Sequence, residues 1–414
     1  MDLEKNINEI RKEFKLLDHW TFLNAADQMI PGDYWLDACR EFYNLVEAGR
    51  MEDIPVADIA THPFLTKTFF ETIERAARLI HADKEEVVNI YRPMTAANLI
   101  LYNMLDWVKG DNVVFTDLEY PSITYILLDL KRRYGVELRR VENVNGEILL
   151  TDLEKRIDDN TKLVVINRTE AFSGFTFDDV KGISEIAHKH DALVLDDPMQ
   201  ALGAIDINVH EDDVDFIITG SYKWLCGPEG AGFMYIRKSL ISKFDPRFRN
   251  YIWANIPTGI PFSLPDHDNI RSWDYPLVND ANKFSQDVCS GSSLFGWNAT
   301  LKFYEKIGIE NIEKRVRYLG GYLIEKLKEI GCKVLTPEDP RKRHGLIVYT
   351  TGNHERDLAS FNYFSAPPRG RKPIKVSLRA LGGIGGIRVS THFFNTEEDI
   401  DELIATQKEM LSKK

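Results

Sequence analysis

Apolar positions along the chain follow two regimes. Between Asp33 and Ala82 they recur at helical spacing, and from Val87 onward short apolar runs alternate with amphipathic stretches. The order is VVNIY, a helical AANLILYNMLDWV, DNVVFTD, a helix after Pro121, VELRRVE, a helical TDLEKRI, TKLVVIN, a helical DVKGISEIAHKH, ALVLDD, DFIITG and GFMYIR. Strands rich in Val, Ile and Leu that take turns with helices predict a mostly parallel α/β sheet covered on both faces. Ahead of it, residues 1–30 read as a short amphipathic helix and an extended arm, WTFLNAADQMIP, stopped at Pro31-Gly32. Past an irregular, Pro/Gly- and aromatic-rich excursion from Asp245 to Pro276, helices are expected from Gly296 to Ile307 and from Glu310 to Ile330. CKVLTP, GLIVYT and GGIRVST follow, and TEEDIDELIATQKEML closes the chain as a helix begun at the capping-type Asn395-Thr396. This less regular alternation predicts a smaller α+β domain. The expected division is an arm over 1–30 that joins the small domain, a large α/β domain over 31–288, and the small domain over 289–414.

Composition narrows the classes of partner. The 414 residues exceed what one core normally accommodates, in keeping with two domains. With 52 Lys and Arg against 64 Asp and Glu the net charge is −12, which argues against a nucleic acid or an acidic membrane surface as main partner, although PPRGRKPIK is locally basic. The first residues are charged, and no run of about eighteen apolar residues occurs, so a cytoplasmic location is expected. Cys39, Cys226, Cys289 and Cys332 form neither a disulfide framework nor a ligand spacing, and the histidines, such as His188, His190 and His267, are scattered. Free thiols and no metal are expected.

In parallel α/β sheets ligands bind beyond the carboxyl ends of the strands, so the residues after each strand carry the candidate chemistry. DFIITG runs into TGSYKWLCGPEGAG, where Lys223 stands beside Trp224. A lysine partly desolvated at a strand end favours the neutral amine, which attacks aldehydes; alternatively it is a surface lysine after a strand. VVNIY leads to Arg92-Pro93-Met94-Thr95, a helix start suited to a phosphate or merely capped. DNVVFTD leads to Tyr120, placed to lie against a ring or to pack. ALVLDD ends in Asp196-Asp197, which alternation sends to opposite faces, so one of the two points to the site. A buried carboxylate needs a cation, and a protonated pyridine nitrogen is one; the plainer role is a turn cap. Phosphate site, flat aromatic, acid and lysine are together the contacts that pyridoxal 5'-phosphate (PLP) requires.

The segments YKWLCGPEGAGFMYIR, Asp197 to Gln200 followed by Gly203, and IRVSTHFFNTEEDID resemble the class V aminotransferase family of fold-type I PLP enzymes, which includes cysteine desulfurases, serine–pyruvate-type aminotransferases and isopenicillin N epimerase-like proteins. The resemblance runs from FLNAADQMIP to the last helix. It implies a PLP-dependent transferase fold and a homodimer with sites near the interface. It also implies that Lys223 carries the cofactor as an internal aldimine and shuttles the Cα proton, and that Asp197 keeps the pyridine nitrogen protonated. The resemblance implies further that Gln200 contacts the ring hydroxyl, that Tyr120 stacks on the ring, that Thr95 with the Met94 backbone holds the phosphate, to which Ser221 adds a hydroxyl, and that Arg388 grips the substrate carboxylate through its two-pronged guanidinium.

Departures from the family pattern direct the reading of function. Lys375 to Gly386, KVSLRALGGIGG, contains no cysteine where desulfurases carry their nucleophile, so a desulfurase working through a protein persulfide is rejected. Ala171 replaces an asparagine that touches the ring hydroxyl. Arg168 replaces a histidine and is expected as a second anion contact. Tyr222 replaces a histidine before the lysine, and Asp287-Val288 a Gly-Thr pair that reaches the partner subunit's phosphate. The expected function is PLP chemistry at Cα of an amino acid. Aminotransferase ranks first, epimerase second because the EYPS and KWLCGPEG segments look most like that branch, and β-lyase third. A PLP-fold binding or regulatory protein without catalysis is the alternative of another class. A nucleotide-binding protein suffers from the absence of GxGxxG or GxxxxGK[ST].

Overall fold

The protein was analysed as a computed structural model that describes residues 3–48, 63–255, 275–285, 290–368 and 370–412. The expected features at His267, Arg369, Asp287-Val288 and Cys289 lie outside the described residues, as does the boundary drawn at 288.

Among the described residues the strands are β1 (Thr21–Phe22), β2 (Val87–Ile90), β3 (Asn112–Thr116), β4 (Glu137–Val141), β5 (Thr161–Asn167), β6 (Leu193–Asp197), β7 (Phe216–Gly220), β8 (Gly232–Ile236), β9 (Lys333–Val334), β10 (Leu346–Thr350), β11 (Ile374–Lys375), β12 (Ser377–Leu381) and β13 (Ile384–Ser390). Seven of them form one sheet in the order β2-β8-β7-β6-β5-β3-β4. The run from β7 to β4 is parallel, while β8 is antiparallel to both neighbours. Strand β2 therefore points the same way as β3, β5, β6 and β7, and all five end at one edge.

Alternation along β5 shows why these strands read as continuous apolar runs. Val164 and Ile166 enter one core with Val194, Ile217 and Phe233, and Leu163 and Val165 enter the other with Phe115, Leu195 and Ile218. Both faces are covered, as parallel sheets require. A second sheet, β12-β13-β10-β9, is antiparallel and packs Ile347, Tyr349, Ile387 and Val389 with the helices Ile309–Glu329 and Glu397–Ser412. The arm strand β1 pairs in parallel with β11, which ties the start of the chain to the C-terminal region.

Local differences from the expected elements have identifiable causes. The helix read from Ala96 begins at Pro93, a residue suited to the first helical turn, and its later part, Leu99–Met104, is a π-helix. The helix read from Gly296 begins at Gly291. Helix His354–Ser365 has no counterpart in the sequence reading: its mixed polar and apolar faces are weakly marked, although the Asn353 side chain caps it by accepting from the Arg356 N–H.

Candidate active site

The ends of β2, β3, β5, β6 and β7 surround a cavity of about 220 Å³ lined by Met94, Tyr120, Asn167, Asp197, Gln200 and Lys223, among others. Each lining side chain is delivered by its strand. Beyond β7, the chain turns through Lys223 and returns as β8; the Ser221 hydroxyl closes this turn by donating to the carbonyls of Pro228 and Ala231. Cys226 adopts φ +53° inside it, a strained conformation for a non-glycine residue that the surrounding contacts must impose. The Lys223 amine is half-buried, lies 5.4 Å from the Tyr120 ring centroid, and has no carboxylate within ion-pair distance among the described residues. Burial, reinforced by the positive charge of Arg388, holds its pKa well below the ordinary 10.5.

Strand β6 sends its two terminal aspartates to opposite faces, as alternation demands. Asp197 faces the cavity, accepts the Met199 N–H at 2.9 Å, and has its pKa raised by burial. Asp196 faces away and accepts from both Nε and Nη2 of Arg168, at 2.8 and 2.5 Å. A further nitrogen of Arg168 donates to Asp212 at 2.8 Å. Arg168 is thus not a second anion contact: its guanidinium is buried among two carboxylates behind the sheet. Gln200 lines the cavity, donating to the Ala26 carbonyl at 3.0 Å and accepting from the Trp224 indole at 2.9 Å, so the arm fixes its amide.

Two of the expected phosphate contacts are placed elsewhere. The Thr95 side chain is exposed and lines a neighbouring cavity of about 940 Å³ with Asn98, Tyr102 and Tyr125. The hydroxyl of Ser221 is occupied inside its turn. At that end of the site the wall is instead Arg92, Pro93, Met94, Ser122 and Tyr222, with the Arg92 guanidinium 5.6 Å from the Tyr222 ring centroid and paired with Glu229 at 2.7 Å.

Arg388, on β13, is the cation best placed for a carboxylate. It is 3% exposed, its Nη1 donates to the Ala171 carbonyl at 3.1 Å, and its buried Nε has no partner among the described residues. Burial and the nearby charge of Arg379 lower its pKa to about 10. A buried guanidinium without a carboxylate is costly unless a ligand supplies one. Arg379, on β12, bonds Asp27 of the arm at 3.4 Å.

The sequence reading passed over two buried carboxyls, Glu119 and Glu170, which do not line the cavity but lie near Asp197. Glu119 is 2% exposed, accepts the Tyr120 N–H at 2.7 Å, and has one carboxyl oxygen without a partner. Glu170 accepts from Thr116 at 2.9 Å and from Asn167 at 3.3 Å. Burial lifts the pKa of Glu170 to about 8, and burial with the charges of Glu170 and Asp197 lifts that of Glu119 well above the carboxylate range. Asn167 was detectable, since it ends TKLVVIN and pairs in register with Asp197. Nothing in the sequence connects Glu119 with Glu170.

The Aminotransferase class-V family model matches residues 22–249 and 288–403. The chain belongs to the aminotransferase class-V family. Among curated relatives, a probable cysteine desulfurase of Halalkalibacterium halodurans is 29% identical over 411 residues, covering 96% of each chain. A cysteine desulfurase of Shigella sonnei is 25% identical, covering 96% of this chain and 97% of its own. Among solved structures, the apo cysteine desulfurase of Thermococcus onnurineus NA1 superimposes with a TM-score of 0.81 at 22% identity, covering 97% of each chain. The cystine C–S lyase C-DES, solved with its product cysteine persulfide, gives 0.80 at 19% identity over 95% of this chain and 99% of its own. These likenesses establish fold type I for the chain.

Class-V proteins are PLP-dependent, and the cavity passes a direct test of fit. An amine held toward its neutral form, a buried carboxylate across the cavity and an open-faced aromatic converge on a space the size of one pyridine ring with its substituents. Departures within the family pattern are also plain: Ala171 offers the cavity only a methyl, and its carbonyl instead anchors Arg388.

Proposed function

We propose that the chain is a PLP-dependent lyase that cleaves the Cβ–S bond of a cysteine-derived amino acid by β-elimination. The observation that carries this reading is a cavity that no described thiol lines, with Arg388 buried behind its Ala171 wall, close enough to act on Lys223 and without an ion-pair partner among the described residues. Cys226 and Cys332 are buried, and burial pushes both thiols up, Cys332 to about 11; Cys39 is bonded to the Ser292 carbonyl. A protein persulfide therefore has no described carrier, while the relatives named cysteine desulfurase and the C–S lyase C-DES support sulfur chemistry over the transamination ranked first from sequence.

Bound at Lys223, PLP supplies an electron sink for charge developing at Cα. Arg388 binds the substrate carboxylate with the geometry of a guanidinium fork and thereby aims the Cα–H bond. The Lys223 amine, once free, takes the Cα proton, because its lowered pKa leaves a substantial neutral fraction near neutral pH. Asp197, stabilised by the Met199 N–H, balances a positive charge at the ring nitrogen. The net reaction takes an S-substituted cysteine and water to a thiol, pyruvate and ammonia.

Incubating the purified protein with cysteine, cystine and alanine tests this directly. Release of pyruvate, ammonia and a thiol or persulfide from the sulfur amino acids alone supports the reading. Keto-acid formation from alanine, or deuterium entering Cα without net conversion, would replace it with transamination or epimerisation.

A further inference from the structure

The turn that carries Lys223 is held from behind by three side chains of distant origin. Tyr34, in helix Asp33–Glu47, donates its hydroxyl to the Cys226 carbonyl at 2.7 Å. Tyr304, in helix Gly291–Ile307, donates to the Trp224 carbonyl, and the His392 imidazole Nε2 lies 2.6 Å from that same oxygen. The carbonyl one residue beyond Lys223 thus has both lone pairs engaged inside a dry core: Trp224 and Tyr304 are 1% exposed and His392 is fully buried.

The protonation of His392 follows from its partners. Its Nδ1 accepts the Phe393 N–H at 2.7 Å, and a backbone N–H is only a donor. The Trp224 carbonyl is only an acceptor, so Nε2 carries the hydrogen and the ring is the neutral Nε2–H tautomer. Burial keeps it there, lowering the pKa to about 3. The groups facing this ring are Trp224, the Cys226 thiol at 3.5 Å, Tyr304, Phe393, Phe394 and the buried His344, with no carboxylate among the described contacts to stabilise an imidazolium.

His392 lies four residues beyond Arg388 on one continuous segment, in which β13 ends at Ser390. We propose that His392 is a positioning residue for Lys223, fixing the turn through its Nε2–H and joining the seat of Arg388 to the placement of the amine. The inference rests on Lys223 being the reactive amine of the reading above. It explains why a core otherwise built of aromatic rings, Trp224, Phe393 and Phe394, retains an imidazole: phenylalanine would leave the carbonyl one donor short.

The test compares His392→Phe, which removes the donor, with His392→Gln, whose amide nitrogen reaches a similar point. In cofactor-loaded protein, the pH midpoint of the visible absorbance is expected to move by about half a unit or more in His392→Phe and to stay within about 0.2 unit of the parent in His392→Gln. Should His392→Phe fail to fold, Tyr304→Phe removes the second donor to the same carbonyl and is expected to shift the midpoint in turn. Trace acetylation of Lys223 in the apo chain, read by peptide mass spectrometry across pH, gives the same comparison without cofactor. Unmoved midpoints in the Phe variants, or a His392 ring carrying hydrogen on Nδ1 in 15N spectra, would overturn the proposal. A parent protein that shows no visible band with PLP counts against the cofactor reading instead, and the acetylation profile then decides His392.

Discussion

Burial disfavours the charge of both Arg388 and Lys223, and the positive charge of Arg388 lowers the Lys223 pKa further. Replacing Arg388 with Gln is expected to raise KM for the amino acid about thirtyfold or more, the equivalent of about 2 kcal/mol for a lost buried charge pair, with cofactor retained. Steady-state kinetics and the visible spectrum check both parts. The same variant removes a positive neighbour of Lys223, so the pH at which apo Lys223 becomes reactive toward PLP should rise. In the parent that reactivity should increase with pH through a midpoint below 10.5, because the amine attacks only when deprotonated; a midpoint at 10.5 would remove the case for a tuned lysine. Arg168 belongs to stability. Arg168→Leu leaves Asp196, whose carboxyl already sits at about 6 through burial, without its cation. A loss of about 3–5 kcal/mol in urea unfolding is expected above pH 6, and a smaller one at pH 5, where Asp196 is protonated.

At the scale of elements, the site depends on backbone contacts between segments far apart in the chain. Gly203 has φ +98°, and a Cβ there would stand 2.4 Å from the Trp224 carbonyl oxygen, the atom that His392 and Tyr304 hold. Gly203→Ala is therefore expected to lower the melting temperature by the equivalent of about 1–3 kcal/mol and to weaken PLP retention, measured by scanning calorimetry and by dialysis against buffer. The hairpin of β12 and β13 is seated in a related way. The Gly382 carbonyl at its tip accepts from Asn143 at 2.8 Å, and Gly382 has φ +59° where a Cβ would meet Leu118. Arg379 and Arg388 are carried on this hairpin, so its seating sets both cations relative to Tyr120.

Across the whole molecule, the buried carboxyls link stability to pH. Glu170 has a folded pKa of about 8 against an ordinary 4.5, so the folded chain keeps a proton that the unfolded chain releases. Its contribution is complete below about pH 4.5 and is lost as pH rises toward 8. Glu170→Gln should thus flatten the fall in melting temperature between about pH 4.5 and 8, an effect on the order of a few kcal/mol at most. The homodimer expected from the family resemblance is a proposal at this scale. Sedimentation should give twice the mass of the chain.

What the sequence determined by itself was local or periodic. Alternating apolar runs specified a parallel sheet, and strand-end position brought forward Lys223, Tyr120 and one of Asp196 and Asp197, because side-chain direction in a strand follows from a two-residue repeat. The family resemblance chose Asp197 and added Gln200. The family pattern placed Arg388. Tertiary structure alone decided which polar groups are already matched. Arg168 and Ser221 look available in sequence, yet Asp196, Asp212 and the carbonyls of a closed turn occupy them. Arg388 looks like any arginine on a strand, and only its packed surroundings leave it without a carboxylate among the described residues. Likewise Glu119 with Glu170, and His392 with Tyr304, become units only when segments 51 and 88 residues apart are brought into contact. Hydrogen-bond satisfaction is a property of the folded neighbourhood, and no spacing along the chain encodes it.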